Sequence, residues 1–327
     1  MTNALILGGT GWLSGRLARR LRDDGVAVTC LARGDRPAPA GTALVRGDRD
    51  DPGAYAELAA HEWDHVIDIS SRADHVVGAV SALGDRAARW TYVSSMSAYS
   101  DDVTPGIDET APLHIAAEPG DDYEYGPQKV AAENAVRTLG DRALIVRPGL
   151  IVGTGDPSDR FGYWAAAFDR AGAGDVLLPP TDGRTVQVID VADVAAFIAS
   201  AAATGAINAI GAQHPLDDVL ALFRTATGHR GGAVRAEEVW LVERGVAYWA
   251  GERSLPLWLP ADMTGFMARS NAAYLANSGS LHRLEDTVAE VVQDERERGV
   301  ERERRAGLTK PQERDLLAEL RRGRFTG

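Results

Sequence analysis

The chain has 327 residues and a formal net charge of −12 at pH 7. Its length corresponds to about two domains of ordinary size. Its 45% of hydrophobic residues is enough to form a buried core, which excludes a wholly disordered chain. The acidic balance argues against nucleic acid as a partner, because nucleic-acid binders usually carry a basic face.

Three local features indicate a cytoplasmic protein with no membrane partner. Cys30 is the single cysteine, so no disulfide can form within the chain, which suits a reducing compartment. Residues 1–4 lack the basic segment that begins a secretory signal. The longest uncharged stretch, 194–216, is interrupted by glycine and polar residues. It therefore predicts a buried helix followed by a strand rather than a membrane span.

Apolar runs alternate with helical patterns through the first 150 residues. Strands are predicted at 4–7, 26–31, 43–45, 65–69, 90–94 and 143–146, and helices at 13–24, 54–60, 76–83 and 128–139. Strands that alternate with helices of this length form a parallel sheet covered on both faces. The pattern therefore predicts an α/β fold with a doubly wound parallel sheet.

The regular alternation ends at Pro148. Beyond it we predict a loop, a helix, a strand and a second helix, at 153–161, 163–171, 186–189 and 191–203. The stretch 290–305 is highly charged and predicts a solvated helix with ion pairs between residues four apart. We assign two regions: a sheet domain of residues 1–150 plus about 185–210, and a smaller C-terminal region of residues 151–184 and 211–327.

A glycine-rich turn, residues 8–15, follows the first predicted strand and opens the first predicted helix. Glycines in such a turn let the backbone approach a pyrophosphate, and the helix N-terminus presents N–H groups and a partial positive charge to it. A purely structural turn is the alternative. The turn predicts a dinucleotide site with contacts from Gly8, Thr10, Gly11, Trp12 and Leu13.

The end of the second predicted strand indicates which dinucleotide is bound. Proteins that bind NAD usually carry Asp or Glu there to accept hydrogen bonds from the ribose. Ala32 stands there instead, and Arg33 and Arg36 follow it. Guanidinium groups suit a 2′-phosphate, so we expect NADP(H), with NAD(H) as the alternative. Solvated surface arginines are the other interpretation.

Tyr125 precedes Lys129 by four residues, so the two side chains share one helix face. A nearby ammonium favours phenolate and lowers the pKa of a tyrosine from about 10, which makes the phenol a general acid or base. The chain has just two lysines, Lys129 and Lys310, and otherwise uses arginine. This rarity strengthens the prediction of a proton-transfer pair.

Taken together, the motifs resemble those of the extended short-chain dehydrogenase/reductase superfamily, in its NAD-dependent epimerase/dehydratase branch. The resemblance covers roughly residues 1–210 and rests on the segments 8–15, 47–50, 94–99, 125–129, 147–149 and 188–195. It implies a Rossmann-type domain that binds a nicotinamide dinucleotide, followed by a substrate-binding region.

The resemblance also implies roles for particular residues. Tyr125 would be the acid/base that acts on a substrate carbonyl or carbinol, and Lys129 would hold the nicotinamide ribose. Ser95 would hydrogen-bond the reacting oxygen, with Ser94 and Ser97 as rivals. Further cofactor contacts are implied for Asp48, Arg49, Ile69, Ser70 and Pro148.

Several positions depart from the family pattern. Ser14 replaces the third glycine of the turn and could bond a phosphate. Met96 and Ser97 stand where sugar-nucleotide 4,6-dehydratases carry an Asp-Glu pair, which disfavours dehydration. Gly149 has no side chain to offer where many nucleotide-sugar enzymes have asparagine.

Other polar and aromatic residues are given structural interpretations. The seven histidines show no zinc-type spacing, so no metal site is expected. Asp190 is predicted to cap a helix, whereas Asp108 and Glu109 are predicted to be solvated. Core packing is the expected role for most of the aromatic residues Tyr163, Trp164, Trp249 and Trp258, with a pocket wall as the alternative.

The sequence thus predicts an NADP(H)-dependent oxidoreductase that transfers hydride to or from a small polar substrate. A sugar or sugar-nucleotide epimerase with retained NAD(P) is one alternative. A non-catalytic dinucleotide-binding regulator is another. The expected partner is a small-molecule substrate, with a homodimer as a further expectation.

Overall fold

The computed structural model describes residues 2–324. The chain divides into two compact units. The N-terminal unit comprises Met1–Ile151, Val188–Ala212 and Arg269–Leu281, and the C-terminal unit comprises Val152–Gln187, Gln213–Ala268 and His282–Gly327. Within residues 2–324, no helix combines the length and apolar character needed to cross a membrane.

The chain begins with the elements β1, α1, β2 and β3, and the residue ranges below give the order of the others. The strands are β1 (Asn3–Leu7), β2 (Ala27–Ala32), β3 (Ala43–Arg46), β4 (His65–Asp68), β5 (Trp90–Val93), β6 (Ala143–Pro148), β7 (Leu150–Val152), β8 (Val176–Leu178), β9 (Thr185–Asp190), β10 (Gly205–Ala209), β11 (Gln213–Pro215), β12 (Ala233–Arg235), β13 (Ala247–Trp249) and β14 (Ser254–Pro256). The helices are α1 (Trp12–Asp23), α2 (Ala73–Leu83), α3 (Tyr125–Arg137), α4 (Arg160–Ala171), α5 (Val191–Ser200), α6 (Leu216–Thr227), α7 (Glu238–Glu243), α8 (Ala272–Ala276), α9 (Leu284–Arg298) and α10 (Lys310–Arg324).

A parallel sheet with the order β10-β6-β5-β4-β1-β2-β3 forms the centre of the N-terminal unit. Successive side chains of β1 point to opposite faces: Ile6 joins the core that includes Leu17 of α1, whereas Leu5 joins the core that includes Val76 of α2. Helices therefore cover both faces, and the predicted doubly wound Rossmann-type sheet is confirmed.

The carboxyl ends of the parallel strands lie at one edge of this sheet. The strand order reverses beside β1, since β2 pairs on one side of it and β4 on the other. In sheets of this kind ligands bind at the carboxyl edge next to such a reversal. The loops after β1, β2, β3 and β4 are thereby brought together.

The C-terminal unit combines small sheets with helices α4, α6 and α9, which pack on one another. Strands β8 and β12 pair in parallel, and β9 and β11 pair in antiparallel fashion. Tyr163, Trp164 and Trp258 are fully buried, as predicted for core residues. Trp249 is half-buried, and the guanidinium of Arg160 lies 5.0 Å from its ring centroid.

Three sequence predictions differ from the structure in detail. Residues 54–60 form turns and a single 3₁₀ turn, Leu58–Ala60, instead of a helix. The charged stretch 290–305 is helical only as far as Arg298, where α9 ends. Residues 269–281, which the sequence placed in the C-terminal region, pack within the N-terminal unit.

The charged stretch is also less solvated than predicted. Glu295 is buried and accepts hydrogen bonds from Arg302 at 2.8 Å and Arg304 at 2.6 Å. One ion pair has the predicted spacing of four residues, between Asp294 and Arg298. Because a buried carboxylate requires compensating charge, these arginines act as internal partners of Glu295 rather than as a surface coat.

Candidate active site

The glycine-rich turn passes closely over strand β2. Gly8 has a φ of +86°, a conformation that glycine adopts without strain. A Cβ on Gly9 would lie 2.5 Å from the Cβ of Cys30, so a side chain there would collide with the strand. The first two glycines of the motif are therefore required by the geometry of the turn.

The Ser14 side chain forms hydrogen bonds to two backbone groups of the glycine-rich turn. Its hydroxyl donates to the carbonyl of Gly8 at 2.7 Å and accepts from the N–H of Gly11 at 2.8 Å. A serine hydroxyl has one hydrogen to donate, and here that hydrogen is used within the turn. The expectation that Ser14 bonds a phosphate is therefore wrong for this conformation, because the side chain is buried and committed to the backbone.

A cavity of about 620 Å³ opens at the carboxyl edge of the sheet, beside this turn. Its volume is typical of a small-molecule site. Most of the predicted cofactor residues line it, namely Gly8, Thr10, Gly11, Arg33, Arg36, Asp48, Arg49, Ile69 and Ser70. Trp12, Leu13, Tyr125, Lys129 and Pro148, which were also predicted to contact the cofactor, are not among its lining residues. Leu13, Lys129 and Pro148 are buried.

The Arg49 side chain lies at the floor of the cavity and is held in place by several hydrogen bonds. Its guanidinium makes two hydrogen bonds to Asp68, at 2.8 and 2.6 Å, and others to the Tyr55 hydroxyl and the His75 carbonyl. Asp68 is fully buried and Arg49 nearly so. The pair ties the loop after β3 to the end of β4.

Lys129 is 3% exposed and lies next to the carboxyl ends of strands β4 and β5. Its ammonium donates to the carbonyls of Ser70 and Val93, each at 2.8 Å, and lies 4.8 Å from the ring centroid of Tyr92. Burial lowers the pKa of Lys129 from 10.5 to about 7, against the attraction of nearby carboxylates. The amine therefore changes its charge near neutral pH.

Tyr125 is the first residue of α3, three residues earlier than the helix was predicted to begin. Its side chain is exposed, and its ring centroid lies 5.7 Å from Nζ of Lys129. Glycine at position 126 allows the start of α3 to approach the serine segment closely. A Cβ there would lie 2.5 Å from the carbonyl oxygen of Ser97. The predicted tyrosine–lysine pair is thus brought together beside the serine segment.

The three candidate serines have different environments. Ser94 is buried, and its hydroxyl donates to Oε1 of Glu133 at 2.5 Å. Ser95 and Ser97 are partly exposed, and the hydroxyl oxygen of Ser95 accepts from the N–H of Ser97 at 3.1 Å. The Ser95 hydroxyl keeps its hydrogen for another acceptor, whereas Ser94 has committed its own to Glu133.

Sequence reasoning missed a buried polar network behind these serines. Arg147 makes two hydrogen bonds to Glu133, at 2.9 and 2.7 Å, and a third to the Tyr99 hydroxyl at 2.8 Å. That hydroxyl donates to the side chain of Asn208 at 2.7 Å. Glu133 follows Lys129 by four residues, so helix spacing could have placed it on the same face as Lys129, but not its bonds to Ser94 and Arg147.

Glu109 belongs to the same network and is partly buried, so it is less solvated than predicted, whereas Asp108 is exposed, as predicted. The Glu109 carboxylate accepts from the backbone N–H of Asn208 at 2.7 Å. The prediction for Asp190 is confirmed, because its carboxylate caps α5 by accepting from the N–H of Ala192 at 2.8 Å. Among the described residues, Asp50, Asp74 and His75 could approach one ion, but Arg72 already pairs with both carboxylates.

Comparison with known protein families gives a match over more than half of the chain. The model of the NAD dependent epimerase/dehydratase family matches residues 4–211. The chain belongs to this family. The predicted resemblance to extended short-chain dehydrogenases/reductases is therefore confirmed, and with it an enzyme class that works with a nicotinamide dinucleotide.

Solved structures share the fold over nearly the whole chain. A candidate epimerase from Burkholderia cenocepacia J2315 is 23% identical, with a TM-score of 0.71 over 90% of this chain and 98% of that one. UDP-glucose 4-epimerase from Thermotoga maritima, solved with UDP-glucose, is 13% identical, with a TM-score of 0.70 over 91% and 99%. The Bordetella bronchiseptica enzyme WbmH, solved with NAD⁺, is 15% identical, with a TM-score of 0.66 over 91% and 99%. At these identities the likeness establishes the fold only. No curated protein sequence matches the chain.

The residues at the cavity of this family member fit a dinucleotide. The turn at Gly8 and Gly9 leaves the space that a side chain would fill, and the N-terminus of α1 follows it directly. The ammonium of Lys129 uses two of its three hydrogens on backbone carbonyls, so its geometry leaves one for a ribose hydroxyl. Both features lie at the same edge of the sheet.

Proposed function

We propose that the protein is an NADP(H)-dependent oxidoreductase that acts on the carbonyl or carbinol carbon of a small polar substrate. The observation that carries this proposal is the position of Lys129, held by two backbone carbonyls below the exposed ring of Tyr125. A phenol poised in this way is suited to proton transfer with a substrate oxygen.

In the reductive direction, in which a carbonyl becomes a carbinol, each side chain has a separate role. The dinucleotide, when bound, supplies hydride to the substrate carbon. Tyr125 gives its phenolic proton to the substrate oxygen, and Ser95 donates a hydrogen bond to that same oxygen. Lys129 stabilises the phenolate that remains. Donors placed in advance around a developing negative charge lower the barrier by several kcal/mol, about 3 for one donor.

The preference for NADP(H) rests on the rim of the cavity. Arg33 and Arg36 line it, and Ala32 at the end of β2 offers no carboxylate to a ribose. Arg33 lies 3.4 Å from Asp35, but both side chains are largely exposed. Such a surface pair is weak, so the guanidinium is available to a 2′-phosphate.

Turnover of a carbonyl panel by the wild type and Tyr125→Phe tests the proposal. The panel comprises methylglyoxal, 2,3-butanedione and glyceraldehyde, with NADPH consumption as the signal. We expect Tyr125→Phe to lower kcat by about 100-fold or more while the Kd for NADPH changes little. Near-wild-type turnover by Tyr125→Phe would contradict the mechanism.

An epimerase is the second candidate, favoured by the family and by the fold shared with UDP-glucose 4-epimerase. Such an enzyme oxidises and re-reduces one carbon with a retained cofactor. Dinucleotide that copurifies with the protein, together with interconversion of UDP-sugars and no net NADPH consumption, would favour it over a reductase. Tight NADPH binding with no turnover of either kind would indicate a regulator instead.

A further inference from the structure

Glu133 carries a fully buried carboxylate on the helix that bears the proposed catalytic residues. It follows Tyr125 by eight residues and Lys129 by four, so all three lie along one face of α3. Arg147 pairs with it through two hydrogen bonds, and Arg137 binds its Oε2 at 2.5 Å. This carboxylate is therefore fixed from several sides.

The contact with Ser94 goes beyond what neutralising the charge requires. Arg147 already compensates Glu133 with a bidentate pair, which is the condition for burying a carboxylate. The Ser94 hydroxyl adds a short bond of 2.5 Å from the end of β5. Ser94 immediately precedes Ser95, so this bond joins the serine segment to α3.

We infer that Glu133 is a positioning residue, whose carboxylate ties the Ser94–Ser95 segment to the helix that carries Tyr125 and Lys129 and provides a buried negative charge for the ammonium. The inference rests on the proposed function for the roles of Ser95 and Tyr125. The same carboxylate thereby influences two properties of the site: the distance between Ser95 and Tyr125, and the charge on Lys129.

The surroundings of Lys129 make this coupling measurable. The carboxylates that act on its ammonium are those of Asp68 and Glu133. The ring centroids of Tyr92 and Tyr125 lie 4.8 and 5.7 Å from the same ammonium, which also donates to the two backbone carbonyls described above. Asp68 is held by Arg49 independently of Glu133, so a change at Glu133 leaves that second carboxylate in place.

The composition of the chain supplies a probe that needs no substrate. Only Lys129 and Lys310 are lysines, so selective ¹³C labelling of lysine places two side-chain resonances in an NMR spectrum. Lys310 is exposed, and a Lys310→Arg variant assigns the remaining signal to Lys129. Titration of that signal gives the pKa of Lys129 directly.

We expect Glu133→Gln to lower the pKa of Lys129 by about half a unit or more, because an attractive negative charge is lost. The Lys310 signal serves as the internal reference and should not move. Arg137→Ala is the matched control, since it removes a partly exposed partner of the same carboxylate but leaves the bonds to Ser94 and Arg147. An unmoved Lys129 signal in folded Glu133→Gln would overturn the electrostatic part of the inference.

A double-mutant cycle tests the positioning part, using the panel compound that the wild type turns over. Ser94→Ala and Glu133→Gln should each lower kcat by about tenfold or more with little change in KM, and the double variant should be no worse than the more damaged single variant. Additive losses, or wild-type kcat in folded Ser94→Ala, would overturn the inference. Ser94→Ala keeps the Glu133–Arg147 pair, so the test survives if Glu133→Gln does not fold.

The two proposals fail in different ways. If Tyr125→Phe keeps full turnover, the proposed function is wrong, whatever the NMR titration shows. If Tyr125→Phe is inactive while Ser94→Ala and Glu133→Gln retain wild-type kcat, the function stands and the positioning role of Glu133 is wrong.

Discussion

The guanidinium of Arg49 and the carboxylate of Asp68 form a buried two-point ion pair, with N–O distances of 2.8 and 2.6 Å. The pair connects the loop after β3 to the end of β4, and its arginine lines the cavity at the carboxyl edge of the sheet. The cavity floor is therefore set by a charge pair in which the Asp68 carboxylate is fully buried and the Arg49 side chain is 9% exposed. Such a pair tolerates the loss of one partner poorly.

Arg49→Met should lower the free energy of unfolding by about 3–5 kcal/mol, because the Asp68 carboxylate would remain buried without its partner. Urea denaturation measures the change. Arg20→Met is the control, since Arg20 pairs with Asp24 on the exposed face of α1, and such pairs contribute less than about 1 kcal/mol. Equal effects of the two substitutions would contradict the assignment of a buried pair.

Stability should depend on pH through Lys129. In the unfolded chain this amine titrates near 10.5, and in the folded protein its pKa is about 7. Between these values the unfolded state binds more protons, so the free energy of unfolding should rise with pH across this window. Below the folded-state pKa the amine is charged in both states, and its burial carries the full penalty.

The contribution of Lys129 is isolated by comparison with Lys129→Met. The difference in the free energy of unfolding between the wild type and this variant should shift in favour of the wild type as the pH rises from 7 towards 10. The unpaired carbonyls of Ser70 and Val93 in the variant add an offset that does not vary with pH. A difference that stays flat would show that Lys129 titrates normally.

The double variant Arg33→Ser/Arg36→Ser should weaken NADPH binding by about tenfold or more, the value of one charge-assisted hydrogen bond. Its affinity for NADH should stay within about twofold of the wild-type value, because NADH lacks the 2′-phosphate. Fluorescence titration with both cofactors measures the two affinities. The control Arg86→Ser removes one positive charge at the opposite edge of the sheet, just before β5, and should leave both affinities unchanged.

Gly126→Ala should disturb the contact between α3 and the serine segment, since the new Cβ would meet the Ser97 carbonyl at 2.5 Å. We expect lower stability and a lower kcat. Gly78→Ala is the matched substitution in α2, where the nearest atom lies 3.6 Å away on Tyr55. It should stabilise the protein by up to about 1 kcal/mol, because alanine is the better helix former. Similar melting temperatures for the two variants would argue against the close approach.

The sheet could be predicted from sequence because its signals are local. The buried strands are short apolar runs, and the glycine turn between β1 and α1 has a fixed pattern. The Tyr125–Lys129 pair also follows from spacing on one helix. Residues 54–60 were mispredicted because their alanines suit a helix, whereas only Leu58 and Tyr55 are buried there.

The polar networks could not be predicted because their partners are distant in the chain. Glu295 is matched in part by arginines beyond the end of its own helix, so its pairing does not follow helix spacing. Glu109 reaches a backbone N–H ninety-nine residues away, at Asn208. The role of Glu133 depends on β5 and β6 meeting at one end of the sheet, which only the assembled fold reveals.

Because the glycine-rich turn packs closely over Cys30, the reactivity of this thiol reports on local opening of the turn. The thiol is completely shielded, and burial raises its pKa, so alkylating reagents react with it only when the strand and the turn separate. Its alkylation rate therefore records how often the glycine-rich turn opens. A nucleotide that clamps this turn should slow the labelling, and this effect makes the lone sulfur a sensor of occupancy that requires no engineered tag.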